Sequence, residues 1–157
     1  MRDLGARVGM RAQSIYVYFA SKNALLDSMF AAGFAELLSR IDALQVDDDP
    51  GAYLRRRTHE FITFATEDLP RYQLLFQRTV PGFEPSADSY AAAAKGMALT
   101  RAALAACGVQ LDQHVDLYTS VCAGLAAQQN SNEPGGERWT RLTDNAIDMY
   151  LAHVTAI

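Results

Sequence analysis

Residues 2–22 read RDLGARVGMRAQSIYVYFASK and divide at Gly9. On one side of it, RDLGARV makes two turns of helix with Leu4 and Val8 on one face. On the other side a second short helix is expected from about Arg11 to Tyr18, with Ile15 and Phe19 four apart and facing inward. Two short helices joined by a tight glycine-containing turn are the pattern of a helix-turn-helix. The second helix of such a unit enters a DNA major groove, led by its N-terminal residues. Here those are Arg11, Ala12, Gln13 and Ser14, small or polar, able to hydrogen-bond and without a large apolar group.

Outward from this stretch the helical signal continues. Leu26, Met29, Phe30, Phe34, Leu37, Ile41 and Leu44 recur at i, i+3/i+4, with Ser21 placed as N-cap. The run Asp47-Asp48-Asp49-Pro50-Gly51 ends that helix. Further helices are expected over about 52–68, 71–79, 88–107 and 111–129, and from near Arg138 to the end. Gly108 is placed as a C-cap residue, and Pro81-Gly82 and Pro134-Gly135-Gly136 mark loops. No β-branched alternation, hairpin dipeptide or internal repeat interrupts the pattern. The fold expected is all-α: a helix-turn-helix remnant over 1–22, then a helical body over 23–157.

The chain has 157 residues, of which 50% are hydrophobic and 20% charged, enough for a real core in one domain. No window approaches the ~18 uninterrupted apolar residues of a membrane span. The first ten residues have no apolar signal-peptide region. Two cysteines, Cys107 and Cys122, cannot form a disulfide framework. A soluble cytoplasmic protein is expected. The net charge of −4 conceals a basic end: residues 1–22 hold Arg2, Arg7, Arg11 and Lys22 against Asp3 alone. An anionic partner at that end fits the skew, although a solvated surface can produce one too.

GARVGMRAQSIYVYFASKNALL, residues 5–26, resembles the tetracycline-repressor (TetR-type) regulators of bacteria. The matching residues are Gly9 at the turn, Tyr16, Tyr18 and Phe19, then Ser21, Lys22, Leu25 and Leu26. The resemblance implies that Arg11, Ala12, Gln13, Ser14, Tyr16 and Tyr18 form the DNA-facing helix, with Tyr16 and Lys22 on phosphates. Chemistry agrees, since a lysine suits a phosphate, Gln13 an adenine edge, and Arg11 a guanine or a phosphate. Phe19 reads as core. Tyr16 could be core as well, but a helix-turn-helix has a single buried face, which favours a DNA contact. The resemblance also implies a further helix ahead of this pair, absent from these 157 residues. Without it Leu4, Val8 and Ile15 would be exposed and the segment poorly ordered.

For the body the resemblance implies a ligand-binding and dimerisation domain. Phe61, Phe64, Tyr72, Leu75, Phe76, Phe83, Tyr90, Met97 and Tyr118 are either plain core or, in part, the lining of a pocket between helices. Tyr72, Tyr90, Tyr118 and Gln129 are the candidate polar anchors, for an effector expected to be hydrophobic or aromatic. The last two helices are expected to pair in a homodimer. There Ala123, Gly124, Ala126 and Ala127 offer a small-residue surface, and Trp139 and Tyr150 are candidate anchors. A palindromic operator on double-stranded DNA needs such a dimer.

Catalytic and metal constellations are missing. His59, His114 and His153 lie far apart in sequence, and Asp47 to Asp49 lack a calcium-loop pattern. Arg55-Arg56-Arg57 spreads round a helix and is not one patch. No enzyme activity, cofactor or metal is expected. The reading is a dimeric, ligand-responsive repressor. The alternative is a dimeric small-molecule-binding module that has lost DNA binding for want of the first helix.

Overall fold

The computed structural model describes residues 9, 11–46 and 48–155, with the backbone alone at Ala12, Gln13 and Ile15. The expected helix over residues 2–8, and with it Leu4 and Val8, lies outside the described residues. The fold is all-helical: α1 Ala12–Tyr18, α2 Lys22–Asp42, α3 Pro50–Glu67, α4 Leu69–Phe76, α5 Ala87–Ala106, α6 Asp112–Asn132 and α7 Thr143–Thr155. A 3-10 turn, Thr140–Leu142, precedes α7. Among the described residues no helix is long and apolar enough to cross a membrane.

Local chemistry explains the boundaries. Ser21 Oγ accepts from the Ala24 N–H at 3.0 Å, so it caps α2 as its position suggested. Asp49 accepts from Gly51 N–H at 2.8 Å and Asp68 from Arg71 N–H at 2.9 Å, capping α3 and α4. Pro50 and Pro70 sit just inside those caps, where the first turn has no use for an N–H. Each such cap is worth about 1 kcal/mol. Pro50 therefore opens α3 two residues earlier than the pattern had it. Gly9, at the turn ahead of α1, has φ 69°, the left-handed backbone that glycine adopts freely. At the end of α5 the Gly108 N–H donates to Ala105 O and the Val109 N–H to Leu104 O. With Gly108 at φ 83°, this is a Schellman stop.

Two apolar clusters meet at α3. In the first, Leu54 and Ile62 pack with Leu104, Val115, Tyr118, Cys122, Ala126, Ile147 and Tyr150 of α5, α6 and α7. In the second, Phe64 packs with Phe30, Phe34, Leu37 and Ile41 of α2 and Leu75 of α4. Phe61 touches both clusters. Helices α2 and α4 approach closely at Gly33, where a Cβ would stand 2.8 Å from Leu75 Cδ1.

Polar ties fix α2 at both of its faces. Asp27 accepts from the Ser86 N–H at 2.7 Å and from its hydroxyl at 2.8 Å, joining α2 to the start of α5. Those two hydrogen bonds, the backbone one foremost, hold the Asp27 carboxyl below its ordinary range. On the other face Glu36 takes Arg40 at 2.6 Å and Arg71 at 2.9 Å, and Arg40 also reaches Glu67 at 2.8 Å. The Arg71 guanidinium then lies over the Phe64 ring, 3.8 Å from its centroid.

Candidate functional site

Helix α1 presents its two tyrosines outward. Tyr16 is 51% and Tyr18 73% exposed, and Arg11 and Lys22 are exposed too. Ser14 is half-buried, and its N–H closes the first turn on Arg11 O at 2.9 Å. Phe19 is half-buried, in keeping with its expected inward role. The side chains of Ala12, Gln13 and Ile15 fall outside the described ones. Lys22 is the first residue of α2, so its ammonium adds to the partial positive charge of that helix start. Exposed phenols and cations side by side can hydrogen-bond and neutralise phosphates.

The second feature is a groove of about 1290 Å³ between α2, α3, α4, α5 and α6. Phe30, Phe34, Leu37 and Ile41 form its α2 wall, facing Phe61, Tyr72, Leu75, Phe76, Tyr118 and Cys122. The rings stand edge to face: Phe76 is 5.4 Å from both Phe34 and Phe61, at 64° and 81°. Phe83 of the 77–86 loop closes on Phe30 at 6.4 Å. Tyr90, Met97 and Phe76 are partly exposed and mark the open side. Six of the expected ligand residues thus share one cavity: Phe61, Tyr72, Phe76, Tyr90, Met97 and Tyr118.

The polar groups of the groove differ in availability. Thr58 Oγ1 lies 2.7 Å from Leu54 O and 2.8 Å from the Tyr118 hydroxyl. The single threonine proton goes to the carbonyl, so Tyr118 donates to Thr58 and has no donor left. Burial pushes the Tyr118 phenol well above its usual range and the Cys122 thiol up to about 12. Cys122 is therefore a neutral apolar wall and no nucleophile.

Arg57 was not anticipated. It is only 4% exposed, lines the groove, and donates through Nη2 to Thr100 Oγ1 at 3.0 Å and weakly to Gly96 O at 3.5 Å. Its place was readable: Leu54, Arg57, Thr58, Phe61 and Ile62 follow the i, i+3/i+4 rule, which puts Arg57 on the inner stripe of α3. The α2 wall was likewise read as a plain amphipathic helix.

Three expected site residues are elsewhere. Phe64 is fully buried under Arg71, away from the groove. The Gln129 side chain binds the 3-10 turn, accepting from Trp139 N–H at 2.9 Å and Thr140 N–H at 3.3 Å. Tyr150 cannot anchor an interface, because it is buried and its hydroxyl donates to His114 O at 3.0 Å. Of the other interface candidates Ala123 and Gly124 are exposed, Ala127 and Trp139 half-buried, and Ala126 fully buried. Trp139 precedes the 3-10 turn and lies outside the last helix. The rings of His114 and His153 come within 6.4 Å of each other, but no group of three metal-binding side chains exists among the described residues.

An exposed short helix and a lined groove thus stand on one all-helical body, joined by α2. Residues 1–29 match the model of the family described as bacterial regulatory proteins, tetR family. A search of curated proteins finds no match. The fold is similar to the crystal structure of "putative regulatory protein SCO4313", with TM-score 0.70 and 20% identity over 96% of this chain and 84% of that one. The chain carries the signature of that family in its first 29 residues.

Proposed function

We propose that the protein is a homodimeric repressor acting in the cytoplasm, which holds palindromic operator DNA through α1 and releases it when a hydrophobic small molecule fills the groove. In this reading residues 1–22 serve DNA and 23–157 serve ligand and dimer. The observation that carries it is the placement of α2. Its first residue is Lys22, beside α1, and further along it carries Phe30, Phe34, Leu37 and Ile41 on the groove wall. A helix of 21 residues is a rod of about 30 Å, so a ligand that tilts its wall moves α1 as well. Ligand shifts the equilibrium only as far as it binds the released state better than the DNA-bound one.

The test is fluorescence anisotropy of the protein on DNA flanking its own gene, at several salt concentrations. Binding should weaken steeply with salt, and Lys22→Ala should lower the log–log slope by about 0.9. Tyr16→Ala should weaken binding roughly tenfold, the worth of one lost phosphate hydrogen bond. Unchanged binding in both variants overturns the role given to α1. Ligand binding without any DNA binding would leave a small-molecule-binding module.

The dimer is proposed on the open face of α6 and α7, where Leu117, Ala123, Gly124 and Met149 are exposed. Gly124 is a clean probe, because a Cβ there meets nothing within 4 Å. Gly124→Glu should leave the monomer as stable or up to about 1 kcal/mol more stable, through better helix propensity. It should nevertheless convert the dimer to monomer in sedimentation equilibrium. An intact dimer would move the interface to another face.

A further inference from the structure

Among the described residues that line the groove, Arg57 is the one deeply buried cation. Among the described residues no carboxylate lies within ion-pair distance of Arg57. Its two hydrogen bonds both leave from Nη2 and both end on neutral oxygens, those of Thr100 and Gly96. The Nε and Nη1 donors have no partner among the described residues. A guanidinium taken out of water without a counter-charge is costly, and buried arginines are normally paired. The other arginines on the groove differ. Arg101 is tied to Asp112, and Arg78 is exposed at the rim, where Glu84 also stands.

We propose that the groove takes an amphiphilic monocarboxylate, with its carboxylate on the Nε and Nη1 donors of Arg57 and its apolar body among the rings of α2, α3 and α4. The proposal rests on the ligand-binding reading above and names the class of ligand. A guanidinium offers two parallel N–H groups that match the two oxygens of a carboxylate. One buried cation offsets one negative charge, so a phosphate dianion would bring the groove an uncompensated charge. Tyr118 cannot replace Arg57 as the anchor, because its proton is committed to Thr58.

The test compares dodecanoate, dodecanol and dodecylammonium by calorimetric titration of the full chain below their micelle concentrations. Dodecanoate should bind roughly tenfold tighter than dodecanol or better, the worth of a charge-assisted pair, and dodecylammonium worst. Arg57→Met should erase the difference by weakening dodecanoate alone. It should also leave the melting temperature unchanged or raised, since it removes an uncompensated charge; a strut between α3 and α5 would instead melt earlier. Acidification through the carboxyl pKa of dodecanoate should narrow the gap on the unaltered protein, an arm that needs no variant. Equal affinities, or a preference that survives Arg57→Met, overturn the proposal and leave a site for uncharged ligands. Failure of dodecanoate and dodecanol alike overturns the groove reading itself, and this proposal with it.

Discussion

Phe64→Ala should cost about 3–5 kcal/mol of folding stability, the range for truncating a fully buried phenylalanine. The ring has no exposed surface, and it sits where α2, α3 and α4 meet. Arg71 covers one face at 3.8 Å and Arg40 stands 5.4 Å from the centroid. Those cation–π contacts contribute about 0.5–2 kcal/mol, less than the transfer and cavity terms, which decide the outcome. Arg71 stays tethered to Glu36 and to Phe64 O, so it cannot fold into the hole. Urea unfolding should show a lower midpoint at an unchanged slope. Phe64→Leu keeps most of the volume and should lose far less, with dodecanoate affinity intact because Phe64 does not line the groove. A loss under about 1 kcal/mol for Phe64→Ala would mean that the three-helix junction is not packed as described.

Acid should loosen the same junction. The Glu36 carboxyl is held below its ordinary range, first by the hydrogen bond from Arg40 and further by the charge of Arg71, against a desolvation that raises it. A carboxylate with a depressed folded pKa contributes its stability above the unfolded value and loses it as pH falls through the folded one. Glu36 is partly exposed, so solvent screens this contribution and it stays well below that of the Phe64 ring.

What the sequence discloses about this fold is what local physics controls. Phe30, Phe34, Leu37 and Ile41 of the α2 stripe, the Ser21 cap and the Gly108 stop are short-range patterns found where the pattern put them, while Met29 of the same stripe is half-exposed and Leu44 lies past the helix end. The start of α3 was placed late because Pro50 was read as a breaker, although Asp49 just ahead turns it into a first-turn residue; Pro70 was read as opening α4, and Asp68 two residues ahead caps it. The site was harder to read. Phe61 and Phe64 stand three apart on one helix, and periodicity assigns both to the inside. Only the packing of α2 and α4 decides that Phe61 faces a cavity and Phe64 a cation. Tyr118 and Tyr150 are divided in the same way, one to the groove and the other to a carbonyl on α6. Arg57 could have been placed by its position between Leu54 and Phe61, but it was weighed only as part of the Arg55-Arg56-Arg57 triplet, which spreads round the helix.

Gln129 carries the other large expectation. Its side chain is 1% exposed, and Nε2 donates to Glu133 O while Oε1 accepts from two backbone N–H groups, Trp139 and Thr140. One amide therefore closes the whole loop between α6 and the 3-10 turn and fixes how α7 leaves it. Gln129→Leu is close in size but can neither donate nor accept. It would strand the Trp139 and Thr140 N–H groups and the Glu133 carbonyl; at about 1–3 kcal/mol for each when buried, the Trp139 N–H and the Glu133 carbonyl alone give a total of about 2–6 kcal/mol. Water entering the loop would bring the cost toward the lower figure. Two measurements on the same variant separate the possible roles of this residue. A loop clasp predicts a lower melting temperature and weaker self-association, because the α7 face shifts, with dodecanoate affinity unchanged. A ligand anchor predicts weaker dodecanoate binding at an unchanged melting temperature. The geometry favours the first, since every polar atom of the amide is already engaged and none of them lines the groove.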